Sequence, residues 1–422
     1  MKTLFKPLLL ASLLASLPLA ASAAEKVRLE YWTMNLSPTF ADWAKNATAE
    51  FNRQNPNLEA VWVDMNWDQI RPKLIASLAA GTPPALVNFN VPWVHEFAAQ
   101  GNLQPLDPLI GNAKDVYLPA AVKDVSANGK MYAFPFYNSV SVLAYNQELF
   151  AKAGIKEAPR NFAEFISTAR TVTAKTGVPA FSPKLAPESG GGVIGWFYYA
   201  GLPVIDKGRA VFTSPQHVAL VQQFADLYKA GVIPRDAYKM EFEQEIAAYS
   251  SGRLAMMTTA PQAIKRLETN AKARYDQTGI APFPTDKGRR AFGAWMMDFV
   301  IPKGAKNPAD AAKLGLFLTS DAQQLAFSKA TETTFPSTKK ANLDPYFQAG
   351  ANSRDPVERA RAVAARSMEF AVVVNIPPGT LPDETTMMRK FNDEMQQAIE
   401  GRKPVKAALD AAAAAWNARL VK

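Results

Sequence analysis

Strand-like and helix-like segments alternate along the first part of this chain, and this alternation restricts the possible fold more than any other feature. Apolar residues occupy every second position over residues 27–31, which predicts a strand. Residues 40–51 repeat apolar side chains at helical spacing, residues 58–63 predict a second strand, and a second helix leads to a third strand at 85–89. Strands joined by crossover helices form a mostly parallel sheet with helices on both faces. The pattern therefore predicts an α/β fold.

The first 24 residues have the three parts of a signal peptide. Lys2 and Lys6 form a basic start, residues 8–20 are apolar, and Ala21-Ser22-Ala23-Ala24 supplies the small residues that a signal peptidase recognises. The apolar run is shorter than the about 20 residues that a membrane-spanning helix needs. We expect cleavage at the end of this stretch and a mature chain that begins near Glu25. Because no cysteine follows the cleavage site, we expect a periplasmic protein without a lipid anchor.

The composition excludes several kinds of site. The chain has no cysteine, which rules out disulfides, thiol nucleophiles and thiolate metal sites. Its two histidines, His95 and His217, favour packing roles, so we expect no metal and no other cofactor. The formal charge of +9 becomes +7 without Lys2 and Lys6, but basic residues are scattered among acidic ones. We therefore expect no nucleic-acid binding.

Amide, carboxylate and aromatic side chains lie at the ends of the first three predicted strands. Ligands of open α/β sheets bind at the carboxyl ends of the strands. Ligand pockets combine apolar walls with a few placed polar groups, and a sugar fits flat rings beside hydrogen-bonding side chains. For the tryptophans among these residues, packing in the core is the open alternative. We expect ligand contacts from Trp32, Asn35, Asp64, Trp67, Asn88 and Asn90.

Short motifs recur along the chain in a fixed order. They include Gly81-Thr82-Pro83-Pro84, Gly129-Lys130-Met131-Tyr132-Ala133-Phe134-Pro135-Phe136, Leu143-Ala144-Tyr145-Asn146 and Ser251-Gly252-Arg253-Leu254-Ala255-Met256-Met257. This ordered set resembles the extracellular solute-binding proteins of ABC importers, and within them the branch of the maltose- and other carbohydrate-binding proteins. The chain departs from the family at Ala85, where an acidic residue usually follows the paired prolines. We expect this change to alter a loop contact and not the function.

The resemblance implies two α/β lobes with a ligand cleft between them. Closure of such lobes around a ligand is a known switching mode, and the closed shape would be recognised by a membrane permease. The implied chain crossings between the lobes lie near residues 134–137, 284–292 and 333–337. Together with a signal peptide at 1–24, they predict a first lobe of residues 25–135 and 286–334 and a second lobe of residues 136–285 and 335–422.

Further candidate ligand residues follow from the resemblance and from local patterns. Two lie at the implied first crossing, one lies just past the second crossing, and one lies in the family's late cleft loop. Two others follow a glycine run at 190–192, whose flexibility favours ligand contact over core packing for the tryptophan among them. The last is an acid within an apolar strand, which needs hydrogen-bond donors from a ligand or from the protein. These residues are Tyr137, Asn138, Trp295, Asn375, Trp196, Tyr198 and Asp298.

The sequence thus predicts a monomeric, non-enzymatic solute-binding component of an ABC importer. Its expected ligand is a carbohydrate, and several aromatic residues favour an oligosaccharide. Two alternatives stay open. One is a binding protein for glycerol 3-phosphate or glycerophosphodiesters. The other is a secreted glycoside hydrolase that uses a carboxyl pair such as Asp64 and Asp298.

Overall fold

The computed structural model describes residues 26–38, 40–185, 192–285, 291–292, 295–368, 371–372, 376, 381 and 384–420. The predicted signal peptide and Asn375 lie outside these residues, and for Trp295 only the backbone is described. Among the described helices, none has both the length and the apolar character needed to cross a bilayer.

Fifteen strands alternate with helices along the described residues. The strands are β1 (Val27–Met34), β2 (Leu58–Met65), β3 (Leu86–Asn90), β4 (Ser126–Ala127), β5 (Lys130–Met131), β6 (Ala133–Ser139), β7 (Val142–Asn146), β8 (Ile205–Asp206), β9 (Arg209–Ala210), β10 (Met256–Thr259), β11 (Thr278–Pro282), β12 (Ala291–Phe292), β13 (Trp295–Val300), β14 (Phe335–Pro336) and β15 (Ala371–Val372).

The helices of the described residues complete the α/β architecture. They are α1 (Ala41–Gln54), α2 (Trp67–Ala79), α3 (Val91–Ala99), α4 (Asp107–Ile110), α5 (Pro119–Asp124), α6 (Gln147–Lys152), α7 (Phe162–Thr176), α8 (Gly192–Tyr199), α9 (Pro215–Lys229), α10 (Phe242–Ser250), α11 (Pro261–Asn270), α12 (Lys272–Asp276), α13 (Pro308–Leu318), α14 (Asp321–Thr331), α15 (Pro356–Ser367), α16 (Glu384–Ile399) and α17 (Val405–Asn417).

The first lobe is built on a six-stranded sheet with the order β14-β6-β13-β3-β1-β2. The predicted β-α-β-α-β start is confirmed, because β1 pairs in parallel with both β2 and β3. The expectation of a mostly parallel sheet is corrected for the other half, where β6, β13 and β14 pair antiparallel. Of these strands, β13 enters the sheet from the other lobe, so no crossover helix within the first lobe sets its direction. Tyr31, Phe51, Phe89 and Phe299 belong to the core of this lobe.

The second lobe is built on a three-stranded antiparallel sheet with the order β10-β7-β11. Two apolar clusters cover it. One is rich in aromatic residues and joins α7, α8, α9, α16 and α17. The other packs α10, α11 and α15 against the sheet. Each lobe therefore buries its own core without disulfides, as expected for a long chain.

The first passage between the two sheets lies later than the sequence predicts. The expected crossing at 134–137 falls within β6, whose last residue, Ser139, still belongs to the six-stranded sheet. β7 of the second sheet begins at Val142, so the passage lies at residues 140–141. The proline that suggested a chain break, Pro135, instead lies at a bulge, because Met297 pairs with Tyr137 whereas Asp298 pairs with Pro135.

Two further passages connect the lobes. The chain leaves β11 of the second sheet at Pro282 and enters β13 of the first sheet at Trp295. It returns after β14, since α15 packs against β11 of the second sheet. Three passages of the chain therefore join the two sheets within the described residues.

Candidate functional site

Two sheet edges face each other where the chain passes between the lobes. The first-lobe edge is where β1, β2, β3 and β6 end and β13 begins, since Trp295 pairs with Ser139. The second-lobe edge is where β7 begins and where β10 and β11 end. Val142, the first residue of β7, pairs there with Thr259 and Pro282, the last residues of the other two strands. As only two residues separate β6 from β7, these edges adjoin. We call the space between them the cleft.

Asp64 anchors the loop that follows β1. Its Oδ1 accepts hydrogen bonds from the Thr33 hydroxyl at 2.6 Å and from the Leu36 N–H at 3.2 Å. Its Oδ2 accepts the Ser37 N–H at 2.8 Å, and Trp62 in turn donates to the Thr33 hydroxyl. The sequence suggested Asp64 as an acceptor for sugar hydroxyls. In the structure its carboxylate accepts these three hydrogen bonds from the protein, and they hold the loop in place.

Trp67, Asn35 and Asn90 lie at the first-lobe edge, as predicted from the strand ends. Trp67 begins α2, and its ring centroid lies 5.1 Å from that of Trp93 at the start of α3. Asn90 caps α3, because its Oδ1 accepts the Trp93 N–H at 2.9 Å. Asn35 is exposed and has a left-handed backbone with φ of 50°. Trp93, which shares this edge, was not among the predicted site residues.

Trp32 and Asn88 occupy the interior of the first lobe. The Trp32 indole N–H donates to Glu30, and the Lys73 ammonium lies 4.8 Å from its ring centroid on the α2 side of the sheet. The Asn88 side chain donates to the carbonyl of Asp298 at 2.9 Å. Both side chains are buried. The expectation of direct ligand contact is therefore corrected, because both side chains point away from the strand ends.

Tyr137 and Asn138 lie at the end of β6 and pack within the protein. The Tyr137 ring contacts Phe136 and Phe327 at centroid distances of 5.1 Å, and burial raises the pKa of its hydroxyl. The buried Asn138 amide donates to the Ser337 hydroxyl at 2.8 Å. Asn138 thus ties β6 to the segment after β14 and is not brought into the cleft.

Asp298 is the most isolated acid of the described residues. Its side chain is 0% exposed, and neither carboxylate oxygen has a hydrogen-bond partner among those residues. Burial raises the pKa of this carboxyl well above its ordinary value, and the nearby charge of Asp124 raises it further. Such an environment favours the neutral form of a carboxyl over the charged one. The prediction that Asp298 binds sugar hydroxyls is corrected, because its side chain is enclosed.

Trp196 is a core residue of the second lobe, which corrects the preference for ligand contact. It is 3% exposed, its indole N–H donates to the Pro183 carbonyl, and its ring contacts those of Phe165, Phe181 and Phe224. The neighbouring Tyr198 is half-buried. Burial and the charge of Glu384 raise the pKa of the Tyr198 hydroxyl to about 12.

Two polar contacts at the cleft were not predicted. The Ser139 hydroxyl at the end of β6 donates to Gln262 Oε1 in the first turn of α11 at 3.2 Å. At the second-lobe edge, the Lys184 ammonium donates to the buried Glu245 carboxylate of α10. Each pair joins residues that are far apart in sequence, so no local motif could have indicated it.

A carboxylate pair also marks the approach of the two lobes. Burial raises the pKa of Glu384, the first residue of α16 in the second lobe, to about 7, and the charge of Glu96 on α3 in the first lobe adds to the increase. Glu96 itself forms an ion pair with Arg71 of α2. The pair of Glu96 on α3 and Glu384 on α16 is therefore acidic, and Arg71 is the counter-charge of Glu96.

Neither histidine shows the surroundings of a metal ligand. His95 Nε2 is in hydrogen-bond contact with the Asp124 carbonyl, and burial lowers the pKa of His95 to about 4. His217 lies between the Ser214 hydroxyl and the Pro203 carbonyl. Across the part of the chain that the structure describes, no three His, Asp or Glu side chains form a group that could hold a metal ion.

A further groove lies elsewhere on the surface. It has a volume of about 670 Å³ between β9 and α17, with Arg209, Asp410 and Asn417 among its lining residues. These residues lie on the outer face of the second lobe. None belongs to the two facing edges, so the groove is separate from the candidate site.

Comparison with known proteins shows the same architecture and the same class of function. The sequence profile of the bacterial extracellular solute-binding protein family matches residues 35–325. A solved structure assigned as an oligosaccharide periplasmic-binding protein, from Synechococcus sp. MITs9220, superimposes with a TM-score of 0.84 at 25% identity. The match covers 92% of this chain and 98% of that one.

Curated relatives of nearly full length are also binding proteins. The mannitol-binding protein of Pseudomonas aeruginosa is 25% identical over 431 aligned residues, with 96% of this chain and 95% of the relative covered. The sn-glycerol-3-phosphate-binding periplasmic protein of Pectobacterium atrosepticum is 22% identical, with 88% and 86% covered. With two lobes, a cleft between facing sheet edges and a family match over most of its length, this chain belongs to the bacterial extracellular solute-binding proteins of ABC transporters.

Proposed function

We propose that this protein captures a neutral polyhydroxylated ligand, a sugar or a sugar alcohol, in the cleft and delivers it to an ABC permease. The observation that carries the ligand class is the chemistry of the facing edges. The first-lobe edge supplies the Trp67 and Trp93 rings and the Asn35 amide. Among the described residues, Lys184 and Arg71 lie near these edges, and each is paired with a carboxylate. Flat rings, amides and compensated charges suit hydroxyl groups better than a phosphate.

Delivery depends on the closure of the two lobes. A ligand that contacts both facing edges binds the closed arrangement more tightly than the open one, and this difference in affinity drives closure. The Ser139–Gln262 hydrogen bond joins the two lobes and supports such an arrangement, whereas the like charges of Glu96 and Glu384 oppose it unless one of them is protonated. The permease then recognises the closed shape, because closure brings the residues of the two lobes into the relative positions that the permease contacts.

The relatives support this assignment to different degrees. One relative is named for mannitol and another for glycerol 3-phosphate, so the family comparison leaves both neutral and anionic ligands in question. The paired state of Lys184 and Arg71 favours the neutral class. Mannitol, maltose and longer maltodextrins are therefore the first ligands to test.

The structure does not favour the carboxyl pair on which the glycoside hydrolase alternative depends. A glycosidase needs two carboxyl groups about 5–10 Å apart on either side of the scissile bond. Asp64 is occupied by three hydrogen bonds from the protein, and Asp298 is enclosed in the six-stranded sheet. These surroundings do not favour Asp64 and Asp298 as a catalytic pair, and we propose that the protein binds its ligand without changing it.

We also propose that the protein is exported to the periplasm as a monomer without a lipid anchor. The support is the signal-like segment 1–24 and the absence of a cysteine to which a lipid could be attached. Sequencing the N-terminus of the exported protein tests this proposal directly. A start near Glu25 is the expected result, whereas a retained Met1 contradicts it.

A thermal-shift screen of the chain from Glu25 onwards tests the ligand class. A ligand that binds only the folded state raises the melting temperature by mass action. We expect a shift with mannitol, maltose or a maltodextrin and none with glycerol 3-phosphate. A shift with glycerol 3-phosphate alone contradicts the neutral class, and a loss of intact sugar during incubation contradicts a purely binding role.

A further inference from the structure

A buried ion pair at the second-lobe edge has a consequence for ligand selection. Glu245 is 2% exposed, whereas the Lys184 side chain with which it pairs keeps 21% of its surface. We propose that Glu245 is a specificity-determining residue, which neutralises Lys184 and thereby excludes anionic ligands such as phosphate esters from the cleft. This inference rests on the proposed function, because it requires that the cleft is the binding site.

The position of Lys184 in the cleft follows from the strand next to it. The N–H groups of Ala255 and Met256 donate to the carbonyls of Pro179 and Ala180, so this segment runs beside the start of β10 in the same direction. β10 ends at Thr259 on the second-lobe edge. The continuation of the neighbouring segment therefore brings Lys184 to that edge.

The backbone at Lys184 is held from both sides. The Trp196 indole N–H donates to the Pro183 carbonyl at 3.2 Å, and Lys184 itself has a left-handed φ of 59°. A Cβ atom added to Gly192 would lie 3.3 Å from the Lys184 carbonyl and 2.6 Å from Asn392 Oδ1, so this close approach needs glycine. The ammonium is thus directed by a built structure and not by a loose surface loop.

The balance of charge at the pair explains the exclusion of anions. Burial raises the pKa of Glu245, and the ammonium of Lys184 opposes this increase. A buried carboxylate without its cationic partner is strongly unfavourable, so the two charges are maintained together. A phosphate in the cleft would therefore compete with Glu245 for Lys184.

Glu245→Gln tests the inference, with Glu243→Gln as the matched control. Glutamine keeps the shape of the side chain and accepts a hydrogen bond from Lys184, but it leaves the ammonium without a counter-charge. Glu243 lies on the same helix, pairs with Arg266 on the outer surface, and its substitution changes the net charge by the same amount. We expect Glu245→Gln to strengthen glycerol 3-phosphate binding at least about tenfold, since a hydrogen bond to a charged group has this worth. Glu243→Gln has no such effect.

The double variant Lys184→Met/Glu245→Gln removes the cation and is expected to abolish the gain. Calorimetric titrations with glycerol 3-phosphate and with mannitol or maltose test the role of Glu245 and the proposed function separately. If Glu245→Gln keeps its neutral ligand but responds to glycerol 3-phosphate as Glu243→Gln does, the inference is wrong and the proposed function stands. If the wild type binds no neutral ligand, the proposed function itself is wrong.

A measurement on the wild type keeps the inference testable if Glu245→Gln does not fold. An uncompensated cation makes anion binding strong at low salt and weak at high salt. We expect the wild-type protein to show no glycerol 3-phosphate binding in NaCl between about 50 and 500 mM. Binding at low salt that disappears at high salt would overturn the inference.

Discussion

The hydroxyl of Ser139 donates a hydrogen bond to Gln262 Oε1 at 3.2 Å and so joins the last residue of β6 in the first lobe to the first turn of α11 in the second. It lies directly beside the first passage between the sheets, at the base of the cleft. Contacts between side chains at this point depend on the relative position of the two lobes. The pair is therefore the most direct test of coupling between closure and ligand binding.

Ser139→Ala is expected to weaken ligand binding without loss of fold. The hydrogen bond to Gln262 contributes to the arrangement in which the lobes face each other, and a bond of this kind has a net worth of about 0.5–1.5 kcal/mol. The dissociation constant is thus expected to rise about two- to tenfold, as measured by calorimetry. Ser167→Ala on α7 in the second lobe is the control. Equal affinity of Ser139→Ala and wild type would show that this contact is not part of closure.

Asp64→Ala is expected to loosen the loop after β1. The substitution leaves the Thr33 hydroxyl and the N–H groups of Leu36 and Ser37 without their shared acceptor. Loss of hydrogen bonds to a charged group lowers the free energy of unfolding by about 1.5–3 kcal/mol. Urea unfolding measures this change, and ligand affinity falls because Asn35 belongs to the same loop. Unchanged stability with reduced affinity would instead indicate direct ligand contact.

Asp298→Asn is expected to stabilise the protein at neutral and alkaline pH. The folded-state pKa of Asp298 is raised, so its contribution to stability is complete below the unfolded pKa and is lost as the pH rises through the folded value. Asparagine does not titrate and avoids this loss. Urea unfolding at several pH values is therefore expected to show a difference between the variants that grows with pH. A pH-independent difference would contradict a neutral, buried Asp298, and Asp410→Asn on the surface is the control.

Trp196→Ala and Trp67→Ala are expected to separate core packing from ligand binding. Trp196 lies among aromatic rings in the second lobe, and truncation of such a residue lowers the free energy of unfolding by about 3–5 kcal/mol. Trp67 is half-buried at the first-lobe edge, so its truncation mainly lowers ligand affinity. Chemical unfolding and calorimetry on both variants give the comparison. The opposite pattern would place Trp196 in the binding site.

Ligand affinity is expected to fall as the pH rises towards 7. Glu384 has a pKa of about 7 in this structure, raised from 4.5 by burial and by Glu96, and Tyr198 and the Arg71 that pairs with Glu96 are its other charged or titratable neighbours. Approach of Glu96 to Glu384 on closure raises this pKa, so closure favours the protonated form and affinity is highest at low pH. Glu384→Gln is expected to flatten the profile, as measured by calorimetry from pH 5 to 8. A wild-type profile that is already flat would exclude this coupling.

The local pattern of the sequence predicts the parts of the structure that local forces determine. Alternation and helical spacing correctly predict β1 to β3 with their helices, and the strand ends correctly place Asn35, Trp67 and Asn90 at one edge. The antiparallel pairing could not be predicted in this way, because β13, with which β3 and β6 both pair, enters the first sheet after a passage from the other lobe.

Contacts between distant segments also escape sequence reasoning. Lys184 and Glu245 meet only because the second sheet aligns the segment at 179–184 with β10, and Ser139 meets Gln262 only because β6 and α11 adjoin across the lobes. Trp196 was misread for a different reason. The preceding glycine run suggested an open loop, but nearly every residue of α8 is buried, so the helix lacks the polar face that indicates a surface.

Calorimetric titration of the chain from Glu25 onwards with mannitol, maltose and glycerol 3-phosphate is the most direct test of the central claim. We predict one-to-one binding of a neutral ligand, with a lower affinity in Trp67→Ala than in the wild type. We predict no heat of binding from glycerol 3-phosphate. Binding of glycerol 3-phosphate alone would contradict a neutral ligand. Binding of a neutral ligand to Trp67→Ala and to Ser139→Ala with the affinity of the wild type would contradict a ligand held between the two lobes.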